Sequence, residues 1–257
     1  MNKQVVLVER RGEAALVTLN RPEAMNALSI EVINELSLIF QELQQDESVA
    51  AVILTGNGRA FSAGLDLKQL GEMGLPGFLK ADKYDVKSII LGFDRPIIGA
   101  INGVAATGGF ELALMCDLLI ATPEARFIDS HARVGLIPGW GLSQRLQRLI
   151  GVNRARELHF TGNALSAEKA ELWGVVNRIV SDEQLIPTCE ELAAEMASCD
   201  RNALIGLKRV VNEGGAMPLS SALEYENFAM HLYGETQSPE DLLARRGKVQ
   251  ARGKAPQ

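Results

Sequence analysis

Short apolar runs alternate with amphipathic stretches over roughly the first two thirds of the chain. The run VAAVILTG (49–56) is apolar almost throughout and ends in glycine, which is typical of a strand buried on both faces of a parallel sheet. Between Ser29 and Asp46 apolar residues instead recur three or four positions apart, which predicts a helix with Ser29 as its N-cap. The alternation predicts a layered α/β fold. Further strands are expected at QVVLVE, AALVTLN, PIIGAING, DLLIAT and VVNRIV, and a further helix over 81–91.

The pattern changes after VVNRIV (175–180). From Gln184 to the last residue the spacing of apolar positions is helical and little β signal remains. Two regions are therefore expected, with a boundary between residues 195 and 200. We take 1–197 as an α/β core that carries the site and 198–257 as a helical C-terminal region.

Charge and composition narrow the function classes. The formal net charge is −6 and no block of Lys and Arg occurs, which argues against a nucleic-acid or acidic-membrane partner. No apolar run reaches the roughly 18 residues of a membrane span, and the first residues lack the apolar core of a signal peptide. The three cysteines form no CxxC pair. A reducing, cytoplasmic location is expected.

The stretch GGFELALMCD (108–117) places one carboxylate, Glu111, in an otherwise apolar run behind two glycines. Apolar residues surround the expected helix on all sides, so this helix should be buried, with Glu111 in its first turn. Glycine permits close approach to the backbone, and the first N–H groups of a helix have no internal partner. A carboxylate beside such donors is equipped for proton transfer, although helix capping explains it equally well.

A second glycine-containing loop, GNGRAFSAGLDLKQL (56–70), follows the buried strand 49–56. It brings the backbone amides around Ser62 and Ala63 into a turn before a helix. Two such loops can each direct one N–H at the same oxygen. That arrangement is an oxyanion hole, in which the loss of one donor costs about 100- to 1,000-fold in rate.

Several motifs occur together in one order: RPEAMNALS (21–29), GRAFSAGLDLK (58–68), RPIIGAINGVAATGGFELALMCD (95–117), ARFIDSHARVGLIPGWGLSQRLQRLIG (125–151) and FTGNALSAEKAELWGVVNRIV (160–180). This ordered set resembles the crotonase, or enoyl-CoA hydratase/isomerase, family from about residue 4 to 215. The resemblance implies a right-handed spiral of repeated ββα units and a C-terminal helical region, 198–257, that mediates trimer formation. A homotrimer or a dimer of trimers is expected.

The same resemblance implies acyl-CoA thioester chemistry, as in fatty acid metabolism. It assigns the oxyanion hole to the backbone N–H groups of Ser62 and Gly108. Contacts with CoA or the acyl group fall on Ala24 and on the loop Ser62, Ala63, Gly64, Leu65 and Asp66, although Asp66 is equally suited to capping a helix. No cofactor is expected, because coenzyme A is part of the substrate. No metal site is indicated either, since the three histidines fit no ligand spacing.

The chain departs from the family pattern at the second of two acids that serve the hydratases. Glu111 matches the first acid. Relatives often read FGQPEVxLG where this chain reads FIDSHARVG (127–135), so His131 stands in place of the second glutamate. A histidine can exchange protons at neutral pH, and Asp129 can orient it or enter the site itself. Alternatively, His131 only fills space and Glu111 acts alone.

The resulting prediction is an enoyl-CoA hydratase that adds water to a 2-trans-enoyl-CoA, with Glu111 and His131 as catalytic residues. Retention of the first acid favours this reaction over isomerisation. Thioester hydrolysis, decarboxylation and non-catalytic acyl-CoA binding stay open. A serine hydrolase built from Ser62, His131 and an aspartate is a further alternative, but AFSAGLD is not a G-x-S-x-G elbow and this reading leaves Glu111 unexplained.

Overall fold

The computed structural model describes residues 4–252 of the chain. Residues 1–3 and 253–257, which belong to the two regions expected from the sequence, lie outside the described residues. The chain divides into two compact units between Cys199 and Asp200. The three cysteines are free. Within the described part of the chain, no helix is both long enough and apolar enough to cross a bilayer.

The first unit contains two sheets. The six-stranded sheet has the order β1 (Val6–Arg11), β2 (Ala14–Leu19), β3 (Ala51–Gly56), β5 (Ile97–Ile101), β7 (Leu118–Ala121) and β10 (Arg178–Ile179). Only the β1–β2 pair in it is antiparallel. The four-stranded sheet has the order β4 (Ala60–Ser62), β6 (Val104–Ala106), β8 (Arg126–Ile128) and β9 (Ala164–Ser166).

Helices follow successive pairs of strands. In the pairs β3–β4, β5–β6 and β7–β8, the first strand lies in the six-stranded sheet and the second lies in the four-stranded sheet. This is the repeated ββα unit expected of the crotonase fold. The helices of the first unit are α1 (Ile30–Gln45), α2 (Leu67–Ala81), α3 (Val86–Gly92), α4 (Gly108–Ala113), α5 (Leu142–Ile150), α6 (Val152–Thr161), α7 (Ala167–Leu172) and α8 (Asp182–Ala197), with 3₁₀ turns at Pro22–Ala24 and His131–Val134.

The strongest local patterns are confirmed. Every residue of β3 is buried between two parallel neighbours. The Ser29 side chain accepts a hydrogen bond from the Val32 N–H and caps α1. All six residues of α4 are buried, with Glu111 in the first turn. Helix α4, which carries this buried acid, contacts β4 and β6 of the four-stranded sheet.

The helix expected over 81–91 begins later. Asp85 adopts a left-handed backbone conformation (φ 51°), and its side chain accepts from the Ser88 N–H, so α3 starts at Val86. Residues 67–81 instead form α2, which is interrupted at Gly74 (φ 68°, ψ 158°) just before Pro76. The glycine and proline obscure the helical pattern in the sequence because both disfavour the helix interior.

The second unit consists of α9 (Arg201–Gly214), α10 (Leu219–Gly234) and α11 (Pro239–Arg252). Asp200 caps α9, and its carboxylate also accepts from the Tyr233 hydroxyl (2.7 Å) and pairs with Arg245 (2.8 Å). One side chain thereby ties the three helices together. No side chain between residues 200 and 247 is buried, and large apolar side chains including Leu207, Val211, Leu219, Phe228 and Leu243 are exposed.

Candidate active site

The two glycine-containing loops are packed directly against each other. A Cβ atom on Gly109 would lie 2.2 Å from the Ser62 carbonyl oxygen, and one on Gly64 would lie 2.9 Å from the Gly108 nitrogen. Neither distance can accommodate a side chain. The absence of side chains at these positions therefore lets Ser62, at the end of β4, lie beside Gly109, while Gly64 and Leu65 lie beside Gly108 at the start of α4.

The peptide that precedes Gly108 is held in an unusual conformation. Thr107 has φ 52° and ψ −115°, and a positive φ is rare for a β-branched residue. The Thr107 N–H donates to the Ile128 carbonyl, and the Thr107 carbonyl accepts from the Glu111 N–H. Such strain persists where the surroundings over-determine the backbone, which occurs often at functional sites. The first N–H of α4, that of Gly108, has no intrahelical acceptor and can serve an external oxygen.

The segment around Ala24 lines the same loop. Ala24 ends a 3₁₀ turn. The carbonyl of the next residue, Met25, accepts a hydrogen bond from the Ala63 N–H (2.9 Å). The Leu28 N–H donates to the Gly64 carbonyl (2.8 Å). The segments that carry the sequence-predicted CoA residues Ala24, Ala63 and Gly64 are therefore joined by backbone hydrogen bonds.

Leu65 and Asp66 complete this loop. Leu65 makes an isolated parallel bridge to the segment after Ala24. Asp66 caps α2 by accepting from the Lys68 and Gln69 N–H groups, and it pairs with Arg21 at 3.0 Å. The Asp66 side chain thus has the capping role that its sequence position suggested. Its part in CoA binding stays a prediction.

Glu111 is buried, and its carboxylate faces the segment before α5. Oε1 accepts from the Trp140 N–H (2.7 Å) and the Leu142 N–H (3.4 Å). The contact of Trp140 with Glu111 comes from its backbone rather than from its indole ring. These donors orient the carboxylate and leave Oε2 for a second partner.

That second partner is His131. Its Nε2 lies 3.5 Å from Glu111 Oε2, and its Nδ1 donates to Asp129 Oδ1 at 2.6 Å. The His131 backbone N–H donates to the same Asp129 oxygen at 3.1 Å. The histidine expected to stand in place of the second family glutamate is therefore placed between two buried carboxylates.

These contacts shift two protonation equilibria. Burial lowers the pKa of His131, but the hydrogen bonds and charges of Asp129 and Glu111 outweigh it and raise the pKa to about 9. Burial raises the pKa of Asp129, but the hydrogen bonds from His131 and His159 hold it well below its usual range. At neutral pH His131 is accordingly an imidazolium and Asp129 is a carboxylate.

His159 is the residue that sequence reasoning missed. It lies on α6, and its Nδ1 is 2.5 Å from Asp129 Oδ2. The sequence offered no signal for this contact, since the two residues are 30 positions apart and the histidines show no regular spacing. Within residues 4–252, no group of three His, Cys, Asp or Glu side chains is arranged to hold a metal ion.

The serine hydrolase alternative is not supported by the position of Ser62. Its hydroxyl donates to the Asn26 carbonyl (2.8 Å) and accepts from the Gly64 N–H (3.2 Å), and the residue is fully buried. His131 meanwhile directs its Nε2 at Glu111. The Ser62 hydroxyl thus organises the loop, and the Ser62 carbonyl borders Gly109.

Comparison with known proteins agrees with this geometry. Residues 9–247 match the family model described as "Enoyl-CoA hydratase/isomerase". The chain belongs to this family. The family's fold, with its ββα repeats, is confirmed by solved structures: an enoyl-CoA hydratase from Bacillus anthracis superposes with a TM-score of 0.89 at 32% identity, over 96% of this chain and 97% of that one.

Two further relatives carry different reaction names. A probable peroxisomal enoyl-CoA hydratase 1 from Arabidopsis thaliana is 38% identical over 94% of this chain and 91% of its own length. A structure described as a monofunctional enoyl-CoA isomerase from M. smegmatis is also 38% identical, with a TM-score of 0.75, over 86% of this chain and 99% of that one. Sequence identity alone therefore does not choose between hydration and isomerisation. Because the Arabidopsis thaliana relative is described as peroxisomal, the cytoplasmic location of this protein stays a prediction.

The contact between Gly109 and Ser62 generates a first prediction. Gly109→Ala should lower the free energy of unfolding by about 1–3 kcal/mol, because the added methyl group overlaps the Ser62 carbonyl oxygen. Urea denaturation measures this change. The matched control is Gly71→Ala on α2, where a Cβ meets nothing within 4 Å and the substitution should stabilise by up to about 1 kcal/mol. Equal stabilities of the two variants would contradict the proposed close packing.

Proposed function

We propose that the protein is an enoyl-CoA hydratase that adds water to a 2-trans-enoyl-CoA and releases a 3-hydroxyacyl-CoA. The observation that carries this proposal is the pairing of a buried carboxylate, Glu111, with an imidazole, His131, whose facing atoms are 3.5 Å apart. The raised pKa of His131 favours its protonated form. Addition of water across a double bond requires a base for the water and an acid for the α-carbon. The site holds one of each.

The thioester binds first in this mechanism. Its carbonyl oxygen accepts hydrogen bonds from the Ser62 and Gly108 N–H groups in this proposal, which is supported by the close packing of the two loops that carry them. CoA lies along Ala24 and the loop 62–66. Fixed donors at this oxygen stabilise the enolate that forms when C3 is attacked, without reorganisation during the reaction.

Two proton transfers then complete the addition, one to Glu111 and one from His131. Glu111 accepts a proton from water as the water oxygen bonds to C3, and the C2–C3 double bond becomes the enolate. His131 donates its Nε2 proton to C2, and the carbonyl reforms. Glu111 is then protonated and His131 is neutral, so one proton transfer across their 3.5 Å contact restores the starting state. No cofactor takes part.

Glu111 provides the direct test. Glu111→Gln should lower kcat by a factor of about 100 to 10,000, because the amide cannot deprotonate water. The loss of the conjugated enoyl-thioester absorbance, followed with short-, medium- and long-chain 2-trans-enoyl-CoAs, measures this effect. Trp140 and Leu142 keep their backbone donors in this variant, so folding should be preserved.

The outcome separates hydration from the other enolate reactions. No absorbance loss at any chain length with the wild-type protein would contradict the hydratase proposal. Release of free CoA, loss of CO₂ or conversion of a 3-enoyl-CoA would instead identify hydrolysis, decarboxylation or isomerisation. Binding without any of these would identify an acyl-CoA-binding protein.

The protonation state of His131 generates a pH prediction. Because His131 acts as the acid with a raised pKa of about 9, kcat/KM should fall as the pH rises through about 9. The charged or titratable groups around its ring are Glu111 on α4, Asp129 after β8 and, behind Asp129, His159 on α6. Arg133 on the same 3₁₀ turn donates to the Thr161 carbonyl.

A variant isolates the contribution of His131 to this profile. His131→Gln should lower kcat and remove the alkaline decline near pH 9, because glutamine has no titrating proton. Initial rates from pH 6 to 10 provide the measurement. A decline on the acid side near pH 6.5 in the wild type would instead make His131 a base and contradict its assigned role.

We also propose that the second unit joins chains into a trimer or a dimer of trimers. Support comes from the exposed apolar side chains of α9 and α10 together with the lack of buried side chains between residues 200 and 247. Light scattering during gel filtration should give three or six chains per particle. Phe228→Glu should dissociate this oligomer, because burial of an unpaired charge in the interface is costly. A monomeric wild-type protein would contradict the proposal.

A further inference from the structure

Asp129 is the centre of a hydrogen-bonded chain that extends beyond the residues of the proposed reaction. Oδ1 accepts from both the backbone N–H (3.1 Å) and Nδ1 (2.6 Å) of His131. Oδ2 accepts from Nδ1 of His159 (2.5 Å). Asp129 is 2% exposed, so water does not compete for these oxygens. The chain Glu111, His131, Asp129, His159 thus connects α4 with α6.

The bonds to Asp129 fix the orientation of the His131 ring. With Nδ1 turned to Asp129, Nε2 can only face Glu111 Oε2. The hydrogen bond to Asp129 also decides which proton of the His131 ring is exchanged, because the Asp129 carboxylate keeps the proton on Nδ1. When His131 gives up a proton, it is therefore the Nε2 proton, and reprotonation returns to the same atom. A free imidazole has no such constraint.

His159 in turn fixes Asp129. An ionised carboxylate can only accept, so His159 Nδ1 carries the proton of their hydrogen bond. The His159 side chain is 15% exposed, and its Nε2 is buried without a hydrogen-bond partner among the described residues. Its one polar contact there is thus Asp129. A residue needed only for packing would not place an unpaired polar atom in this position.

The backbone around His159 is also tied to the turn that carries His131. Arg133 donates from Nε to the Thr161 carbonyl at the end of α6 (2.7 Å). This bond and the His159–Asp129 bond join the same two elements at separate points. Movement of α6 relative to the 3₁₀ turn His131–Val134 would break both.

We propose that Asp129 and His159 are positioning residues that act through His131: His159 holds the Asp129 carboxylate in place, and Asp129 holds the Nδ1 proton of His131 so that Nε2 faces Glu111. Only the kinetic part of the test rests on the proposed hydratase function. The geometric part concerns the protein without substrate.

Nuclear magnetic resonance of ¹⁵N-histidine-labelled protein tests the geometric part. The chain contains only three histidines, so His131→Gln and His231→Gln assign every imidazole signal. In the wild type at pH 10, neutral His131 should be the Nδ1–H tautomer, and downfield Nδ1 protons should be seen for both His131 and His159. Asp129→Asn should abolish both downfield signals and the tautomer preference.

His159→Leu and His159→Asn form a matched pair. Leucine removes the donor to Asp129, so neutral His131 should become a mixture of tautomers. Asparagine keeps a donor close to the position of Nδ1, so the Nδ1–H tautomer should be retained. Circular dichroism checks folding. If the leucine variant does not fold, His159→Gln, whose amide reaches the position of Nε2, tests the same point.

The kinetic part uses the same variants. His159→Leu should lower kcat about tenfold with KM within about twofold, and His159→Asn should recover most of the loss, in line with the 10- to 100-fold effects of residues that orient a functional side chain. Asp129→Asn should lower kcat by more than 100-fold, because loss of a tautomer-fixing carboxylate costs up to about 10,000-fold. The exposed His231→Gln should behave as wild type.

Each outcome has a distinct meaning. An Nδ1–H tautomer in His159→Leu as pure as in the wild type would overturn the role of His159. The same result in Asp129→Asn would overturn the role of Asp129. The expected tautomer changes in a protein that hydrates no enoyl-CoA would support the positioning chain and overturn the hydratase proposal instead.

Discussion

The arrangement of the site depends on the pairing of buried charges. Glu111 and Asp129 are buried carboxylates, and an isolated charge in such surroundings is costly. His131 lies between them, where its positive charge compensates both. Removal of His131 would leave Glu111 as a buried carboxylate without a facing positive charge. Helix α4, the end of β8 and the 3₁₀ turn after it are therefore constrained to one mutual geometry, which is the geometry that the proposed proton transfers require.

A second constraint is steric and acts on the oxygen-binding side of the site. The loops that end β4 and begin α4 approach so closely that Gly109 has no room for a Cβ beside the Ser62 carbonyl. The strained Thr107 backbone connects this contact to Glu111, because the Thr107 carbonyl accepts from the Glu111 N–H. The Gly108 N–H, one of the proposed oxyanion donors, and Glu111, the proposed base, are thus positioned by one continuous segment. A change in the packing of the glycines would displace both together.

The sequence predicted those features whose causes are local. Complete burial of β3, the Ser29 cap and the position of Glu111 in a buried first turn follow from periodicity and glycine placement. The start of α3 was misplaced, because a left-handed aspartate at position 85 gives no clear signal. The contact of Asp129 with His159 was missed for a different reason. It depends on how α6 packs against a 3₁₀ turn 30 residues earlier, and no local pattern encodes that packing.

A histidine at position 131, where the resemblance to the family leads us to expect a glutamate, would change the charge of the proposed acid. Two facing carboxyl groups must share a proton to avoid repulsion, whereas Glu111 and an imidazolium attract each other while His131 still carries a transferable proton. A buried imidazolium requires its own counterion, and Asp129 supplies it. Asp129 then has a second oxygen to satisfy, which His159 does. A buried histidine at position 131 therefore accounts physically for two further polar residues, Asp129 and His159, and the three are best understood as a single unit.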